Sequence, residues 1–339
     1  MAGNPKQKLK LLCVLDILNE YTDENHPLDA VGICEKLRSQ FNIEAERKSI
    51  YTDIANLEDY GVDIIKTRVP CFGYFIGERR FDLPEISLLI DAVEAANFIT
   101  PRKTKHLVTK LESLVSKWQA EELDKHIFIE NRNKCSNEEI LYTIDTINEA
   151  INKNRKITFS YIKRSLGENN RISESYKQLT VSPYSLLWEN NLYYLIGNNE
   201  KYDNLIHLRL DRMKSVQISD SKSRHFSEVS DYKAFFDVAD YARKTFNMFG
   251  GELKTIELKC NMFRLEQVID RFGDKLYLRP NEDGTFSFNT KANISEGLIS
   301  WLMQFGNDIE VVAPAELRKS IIERIDKMTA LYKKAKINS

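Results

Sequence analysis

The sequence predicts an α+β multidomain chain, and three observations carry that prediction. Before residue 80 the apolar residues recur three times at helical spacing and then change to strand usage. Between Val181 and Ile218 short apolar and aromatic runs alternate with residues that tolerate tight turns, the mark of a small antiparallel sheet. After residue 255 the pattern reads β-α-β-β-α-β, the order of a ferredoxin-like unit. A chain of 339 residues, 42% hydrophobic and 29% charged, has room for two or three cores of this kind.

The first helix runs from Lys6 to Tyr21, with Leu9, Leu12, Val14, Leu15, Ile17 and Leu18 at helical spacing. After the polar TDENHP loop, Asp29 is positioned as an N-cap for a second helix carrying Val31, Ile33, Cys34 and Leu37 to Phe41. A third helix holds Ile50, Ile54 and Leu57 on one stripe and stops at Gly61. Two tightly joined helices of this length after a first one fit a helix-turn-helix, and the hairpin around Pro70-Cys71-Phe72-Gly73 fits a wing. Such a head reads DNA by presenting donors from the exposed start of its third helix to phosphates and base edges. Arg47, Lys48, Ser49, Tyr51 and Thr52 supply them here, with Lys66 and Arg68 of the wing on the backbone. A helix of this composition is also what a merely solvated face looks like, and winged three-helix units serve as protein-interaction modules too.

Phe81 to Ser116 is again helical, with Pro84 in a first turn. One apolar face holds Leu88, Leu89, Ala92, Val93, Ala96 and Phe98, and a second, after Pro101, holds Leu107, Val108, Leu111, Leu114 and Val115. Asn137 to Asn152 completes a helical connector. KITFSY, Lys156 to Tyr161, opens the sheet with Ile157, Phe159 and Tyr161 on one face, and Ile162 to Ser175 reads as a polar loop. The sheet continues in strands at Ser185 to Trp188, Leu192 to Ile196, Leu205 to Leu208 and Ser215 to Ile218. Alternation sends Tyr193 and Tyr194 to opposite faces, and sets Leu205, His207 and Arg209 opposite Ile206, Leu208 and Leu210. Two guanidiniums, Arg209 and Arg212, beside a phenol make an anion cradle, because the planar donor fork of Arg fits phosphate and carboxylate and stacks on rings.

Past Ser219 a polar stretch leads to a helical segment, Tyr232 to Phe249. The last unit then reads strand (Thr255 to Met262), helix (Glu266 to Phe272), strand (Lys275 to Leu278), strand (Thr285 to Thr290), helix (Gly297 to Gln304), strand (Ile309 to Val312) and helix (Pro314 to Lys333).

Composition narrows the function classes. Lys plus Arg (49) nearly cancels Asp plus Glu (50), so any basic surface is local. The five cysteines form no C-x-x-C pair, the start MAGNPKQKLK has no apolar signal core, and no apolar run reaches membrane-spanning length. The expectation is a cytoplasmic protein with reduced thiols and no membrane association. There is no G-x-x-x-x-G-K-[ST], no G-x-G-x-x-G after a strand, no H-E-x-x-H and no G-x-S-x-G. The five histidines show no ligand-like pairing, so neither a cofactor nor a metal is expected. The tryptophans, Trp118, Trp188 and Trp301, sit in apolar patterns as core residues.

The order Ser182-Pro183-Tyr184, Leu192-Tyr193-Tyr194-Leu195 and His207-Leu208-Arg209-Leu210-Asp211-Arg212-Met213 resembles the WYL domain of bacterial transcriptional regulators. Tyr193 stands where the family has its Trp, while Tyr194, Leu195 and the R-x-D-R end are kept. Arg47-Lys48-Ser49-Ile50-Tyr51-Thr52-Asp53-Ile54 similarly resembles the R-x-T-I-x-R-D-I opening of the recognition helix in those regulators, with Ser49 for Thr and Thr52 for the second Arg. The resemblance implies a winged helix-turn-helix (1–80), a helical connector (81–152), an SH3-like or Sm-like WYL barrel (153–220), a linker (221–254) and a C-terminal WCX-like dimerisation domain (255–339). It implies a non-enzymatic homodimer that binds an operator in double-stranded DNA, as a repressor. The WYL domain is expected to sense a single-stranded nucleic-acid fragment or nucleotide through Ser182, Tyr184, Tyr194, His207, Arg209 and Arg212. Two other classes stay open: an enzyme acting on nucleotides or nucleic acid through the Arg and Tyr cluster, and a regulatory adaptor that does not bind DNA.

Overall fold

A computed structural model describes residues 5–126, 134–167 and 171–334. Residues 1–4, three residues of the expected 162–175 loop (168–170) and the last five of the expected 255–339 domain lie outside the described residues. The chain divides into two compact units, Met1–Glu138 and Glu139–Ser339.

The first unit opens with α1 (Pro5–Tyr21), α2 (Ala30–Phe41) and α3 (Arg47–Tyr60), followed by a hairpin of β1 (Ile64–Thr67) and β2 (Gly73–Ile76). The Asp29 carboxylate accepts a hydrogen bond from the Gly32 amide at 2.8 Å, which starts α2, and Gly61 at φ +102° ends α3 in a conformation side chains disfavour. Val14, Ile17 and Leu18 of α1 pack with Ile33, Leu37, Ile50, Ile54 and Leu57. Leu9 and Leu12, expected on that face, are exposed, because the buried stripe of α1 continues through Leu11 instead. Leu28 exchanges two backbone hydrogen bonds with Tyr74 (3.1 and 2.8 Å), extending the hairpin by one bridge. A Cβ on Gly73 would stand 2.7 Å from the Leu28 backbone, so this approach requires glycine.

Three more helices follow among the described residues of the unit: α4 (Leu83–Ala95), α5 (Pro101–Glu112) and α6 (Lys117–His126), the last not expected from sequence. Asp82 and Glu85 form a reciprocal capping box at the start of α4. The small core here is Ile86, Ile90, Val115 and Leu123. Leu88 and Leu89 face outward, since Ile86 and Ile90, one turn apart, own the buried stripe. Ser116 donates to Asp23 at 2.5 Å and Trp118 stacks on His26 with ring centres 4.5 Å apart, so Trp118 packs as a surface staple and not in a core.

The second unit begins with α7 (Ile140–Asn152), whose Ile140, Thr143, Ile147 and Ala150 are buried against the sheet that follows. That sheet comprises β3 (Arg155–Leu166), β4 (Ile172–Glu189), β5 (Leu192–Asn198), β6 (Ile206–Arg209) and β7 (Met213–Lys222), all antiparallel in the order β6-β5-β4-β3-β7. It is not the closed barrel expected. The 3-10 turn Leu210–Arg212 carries the chain from edge strand β6 to β7, which pairs with β3 and not with β6. The expected 162–175 loop is also corrected: β3 and β4 continue pairing to Leu166↔Ile172 as a two-stranded arm. The expected 232–249 helix shrinks to α8 (Val238–Lys244), started by Asp237, which caps the Asp240 amide at 2.9 Å, and stopped before Asn247 and Met248 at positive φ.

The C-terminal elements follow the order read from sequence: β8 (Glu252–Asn261), α9 (Leu265–Phe272), β9 (Arg279–Pro280), β10 (Thr285–Ile294), α10 (Glu296–Met303), β11 (Ile309–Ala313) and α11 (Ala315–Lys334), with sheet order β11-β8-β10-β9. The strand expected at 275–278 is displaced to the two residues of β9, where Phe286 and Ser287 of β10 give it partners. Phe246, Ile256, Leu258, Phe286, Phe288 and Leu298 form the core. The distal part of α11 leaves Ile322, Ile325, Leu331 and Tyr332 at least 50% exposed, an apolar face with no covering among the described residues.

Candidate functional site

Antiparallel pairing of β5 and β6 sets Tyr194 directly opposite Arg209. The 3-10 turn then brings Arg212 back toward the same place, and Tyr161 arrives from β3, its hydroxyl accepting a hydrogen bond from the Arg209 amide at 3.2 Å. Four side chains thus share one electrostatic environment. Burial raises the Tyr161 and Tyr194 hydroxyls above the ordinary phenol value, against the opposing pull of Arg209 and Arg212. Both phenols stay neutral hydrogen-bonding groups over the physiological range.

The two arginines differ in how they are held. Asp211 grips Arg209 as a fork, Nε to Oδ1 at 3.0 Å and Nη2 to Oδ2 at 2.7 Å, which raises the Arg209 pKa and fixes its plane. Arg212 has its Nε buried without a hydrogen-bond partner among the described residues. A buried donor left unmade costs about 1–3 kcal/mol. Neither Tyr161 nor the Asp211 clamp was assigned a role from sequence. Alternation puts Tyr161 on the face of Phe159, but that face is a core face and the pattern does not say which strand it meets.

Three of the expected ligand residues are elsewhere. Ser182 is 1% exposed, and its hydroxyl accepts from the Arg224 amide at 2.9 Å. Tyr184 lies edge-on to Phe226 and against Phe236, with burial pushing its hydroxyl up to about 12. His207 shares a strand with Arg209, but its Nε2 is hydrogen-bonded to the Tyr241 hydroxyl at 2.7 Å, and burial lowers its pKa to about 4. These residues anchor the 221–254 segment onto the sheet. Aromatic side chains with no helical period in that segment (Phe226, Phe236, Tyr241) make the contact, with Tyr232 packed against Phe236 and Tyr241, which is why periodicity does not reveal it.

In the first unit Arg47, Lys48, Tyr51 and Thr52 are exposed at the start of α3, and Lys66 and Arg68 are exposed on the hairpin. Ser49 is half-buried, its hydroxyl turned back to the Glu46 carbonyl at 2.8 Å, and Thr52 is turned to the Lys48 carbonyl at 3.3 Å. Those two hydroxyls serve their own helix as it stands. The Tyr51 ring meets Tyr74, and the Lys66 ammonium lies over Phe72 and Tyr74, so helix and hairpin present one continuous aromatic and basic edge.

Among the described residues no group of His, Cys, Asp and Glu could hold a metal ion, and no helix is long and apolar enough to cross a membrane. The His126 side chain lies outside the described residues.

The fold and site define a multidomain α+β protein with a helical, basic-edged head and a sheet that holds paired arginines. Residues 142–218 match the WYL domain and residues 255–329 match the WCX domain. The chain carries a WYL domain and a WCX domain. It is similar over 94% of its length to proteasome accessory factor B/C (PafBC) of Arthrobacter aurescens, at 16% identity and a TM-score of 0.27, while spanning 46% of that chain. It is also similar to a CRISPR Cas-related protein at 14% identity and a TM-score of 0.34, covering 94% of this chain and 98% of that one. No curated protein matches.

Proposed function

We propose that this chain is a ligand-responsive, DNA-binding regulator of transcription, acting as a homodimeric repressor. The first 80 residues form a winged helix-turn-helix that binds an operator through Arg47, Lys48 and Tyr51, with Lys66 and Arg68 on the phosphate backbone. An anionic effector, a nucleotide or a single-stranded nucleic-acid fragment, occupies the Tyr161, Tyr194, Arg209 and Arg212 cluster. The observation that carries this reading is that Arg209 and Arg212 both act on the Tyr161 and Tyr194 phenols, with the Arg212 Nε buried and unpartnered among the described residues. The apolar outer face of α11 supports dimerisation through the C-terminal domain. Ser182, Tyr184 and His207 are left to structural work.

The test is a salt-controlled titration of DNA from upstream of the protein's own gene, with and without a short single-stranded oligonucleotide. Wild type is expected to bind specifically and to change affinity when the oligonucleotide is added. Arg209→Ala/Arg212→Ala is expected to keep the DNA affinity and lose oligonucleotide binding roughly a hundredfold, since hydrogen bonds to charged groups contribute about 1.5–3 kcal/mol each. Absence of specific duplex binding at moderate salt overturns the DNA-binding part of the reading; an unchanged oligonucleotide response in the double variant overturns the site.

A further inference from the structure

The two-stranded arm lies next to the arginine site and shares a face with it. Register decides which residues are involved: Tyr161 is opposite Lys177, Lys163 opposite Ser175, and Ser165 opposite Ser173. With side chains alternating along each strand, these six project from one face and Arg164, Glu174, Tyr176 and Leu166 from the other. Tyr161 is the member whose position is independently fixed, because its hydroxyl meets the Arg209 amide. The face that continues outward from it carries Lys177 beside Tyr161, then Lys163, then the Ser165 and Ser173 hydroxyls, which are 2.8 Å apart. Lys163, Lys177, Ser165, Ser173 and Ser175 are all exposed. No carboxylate projects from this face among the described residues, and neither lysine has an ion-pair partner among them. On the opposite face, by contrast, Arg164 is neutralised by Glu174 at 3.0 Å and Lys214 is spread over the Tyr176 ring.

We infer that this face of the arm is a second binding segment, a track of Lys177, Lys163 and serine hydroxyls that takes the phosphates of a single-stranded nucleic acid whose end is seated at Arg209 and Arg212. The inference rests on the proposed reading of the arginine site and adds to it that the effector is a polymer, not a mononucleotide. Lys177 sits about 5 Å across from Tyr161 in Cα terms and Lys163 roughly 7 Å further along β3, a spacing that meets successive backbone phosphates. The residue types are those of a sequence-tolerant strand track: ammonium groups and hydroxyls for phosphate, with phenols at one end for a base.

The experiment measures binding of a labelled dinucleotide and a labelled octanucleotide to the full chain over a salt series. It compares wild type, Lys163→Ala/Lys177→Ala, the charge-matched opposite-face variant Arg164→Ala/Lys214→Ala, and Arg209→Ala/Arg212→Ala. The Lys163/Lys177 variant is expected to weaken the octanucleotide roughly two- to thirtyfold and to flatten the slope of log affinity against log salt by about 1.4, with the dinucleotide unchanged. The opposite-face variant is expected to match wild type. If the Lys163/Lys177 variant keeps the wild-type slope, or the opposite-face variant loses as much, the track is overturned while dinucleotide loss in the arginine variant still upholds the site. If the arginine variant binds both probes like wild type, the site fails and the track with it. A duplex octamer that competes as well as the single strand overturns the single-strand assignment.

Discussion

Asp53→Ala is expected to destabilise the N-terminal unit by about 3–5 kcal/mol, against a total domain stability of roughly 5–15 kcal/mol. The cause is Lys10 on α1, whose ammonium lies 2.6 Å from the Asp53 carboxylate, with only 12% and 11% of the two side chains exposed. Such a pair is held together by low dielectric and held in place by the cost of leaving either partner alone. Removing Asp53 strands a charge between helices next to Ile50 and Ile54, and burial of an unpaired ammonium is far costlier than loss of a solvated pair. Thermal unfolding of the N-terminal unit should shift down by about 10–15 °C. The companion Lys10→Met/Asp53→Leu, which removes both charges and restores apolar volume, should return to within about 1 kcal/mol of wild type. If Asp53→Ala costs less than about 1 kcal/mol, the pair behaves as a solvated one and does not hold α3 in place.

The consequence for function is geometric. Asp53 follows Arg47 and Lys48 by five to six residues on α3 and faces inward where they face out. The ion pair therefore fixes the rotation of α3 about its axis, and with it the direction in which the basic side chains point. The sequence resemblance counts Asp53 as part of a DNA-reading motif; its burial assigns it to aiming the helix. On the proposed function, the paired neutral variant should fold well and still lose some operator affinity.

The elements that were legible from sequence are those whose signal is local. Caps at Asp29 and Gly61, the turn before Thr285, and the helical stripes of α3 and α11 depend on residues a few positions apart. Arg209 was placed on its face by simple alternation, and Arg212 just after the strand by the same count. What escaped is non-local. Tyr161 reaches Arg209 only because β3 pairs with β7 and β4, some fifty residues apart in the chain, and a period-two pattern says nothing about which strand lies beside which. The arm reads as a loop in the sequence because Lys163 to Ser165 and Ser173 to Lys177 contain no apolar alternation. It is exposed on both faces, and its strands are held by ladder hydrogen bonds and by pairs such as Arg164 with Glu174. Ser182 and Tyr184 join the arginines through the resemblance, and His207 because alternation puts it on the face of Arg209. Nothing in their spacing shows that Arg224, Phe226, Phe236 and Tyr241 come back to cover them.

That covering also makes the second unit acid-sensitive in a defined window. His207 is buried against Tyr241, and loss of water around its ring is the main reason its pKa falls from 6.5 to about 4. The native state thus declines a proton that the unfolded chain accepts between those two values. Stability rises with pH wherever the unfolded state binds more protons, so His207's contribution is fully present above pH 6.5, declines as pH falls, and is fully lost below about 4. The whole effect is about 3 kcal/mol, enough to loosen the contact between β6 and α8 before the salt-bridged carboxylates begin to titrate. Asp240 is one of these: hydrogen bonds from Lys244 and Tyr232 outweigh its burial and hold it below the usual carboxylate range, so its loss belongs to lower pH. Denaturant unfolding of the second unit, followed from pH 7 to 4.5, should therefore show a falling stability in wild type. His207→Gln keeps an amide for the Tyr241 hydroxyl and cannot titrate, and should flatten the curve over that range while costing little at pH 7. A curve of unchanged steepness in His207→Gln would place the acid sensitivity on another group. A flat wild-type curve would mean that the ring takes up its proton in place, with Tyr241 as acceptor, and that the contact survives protonation.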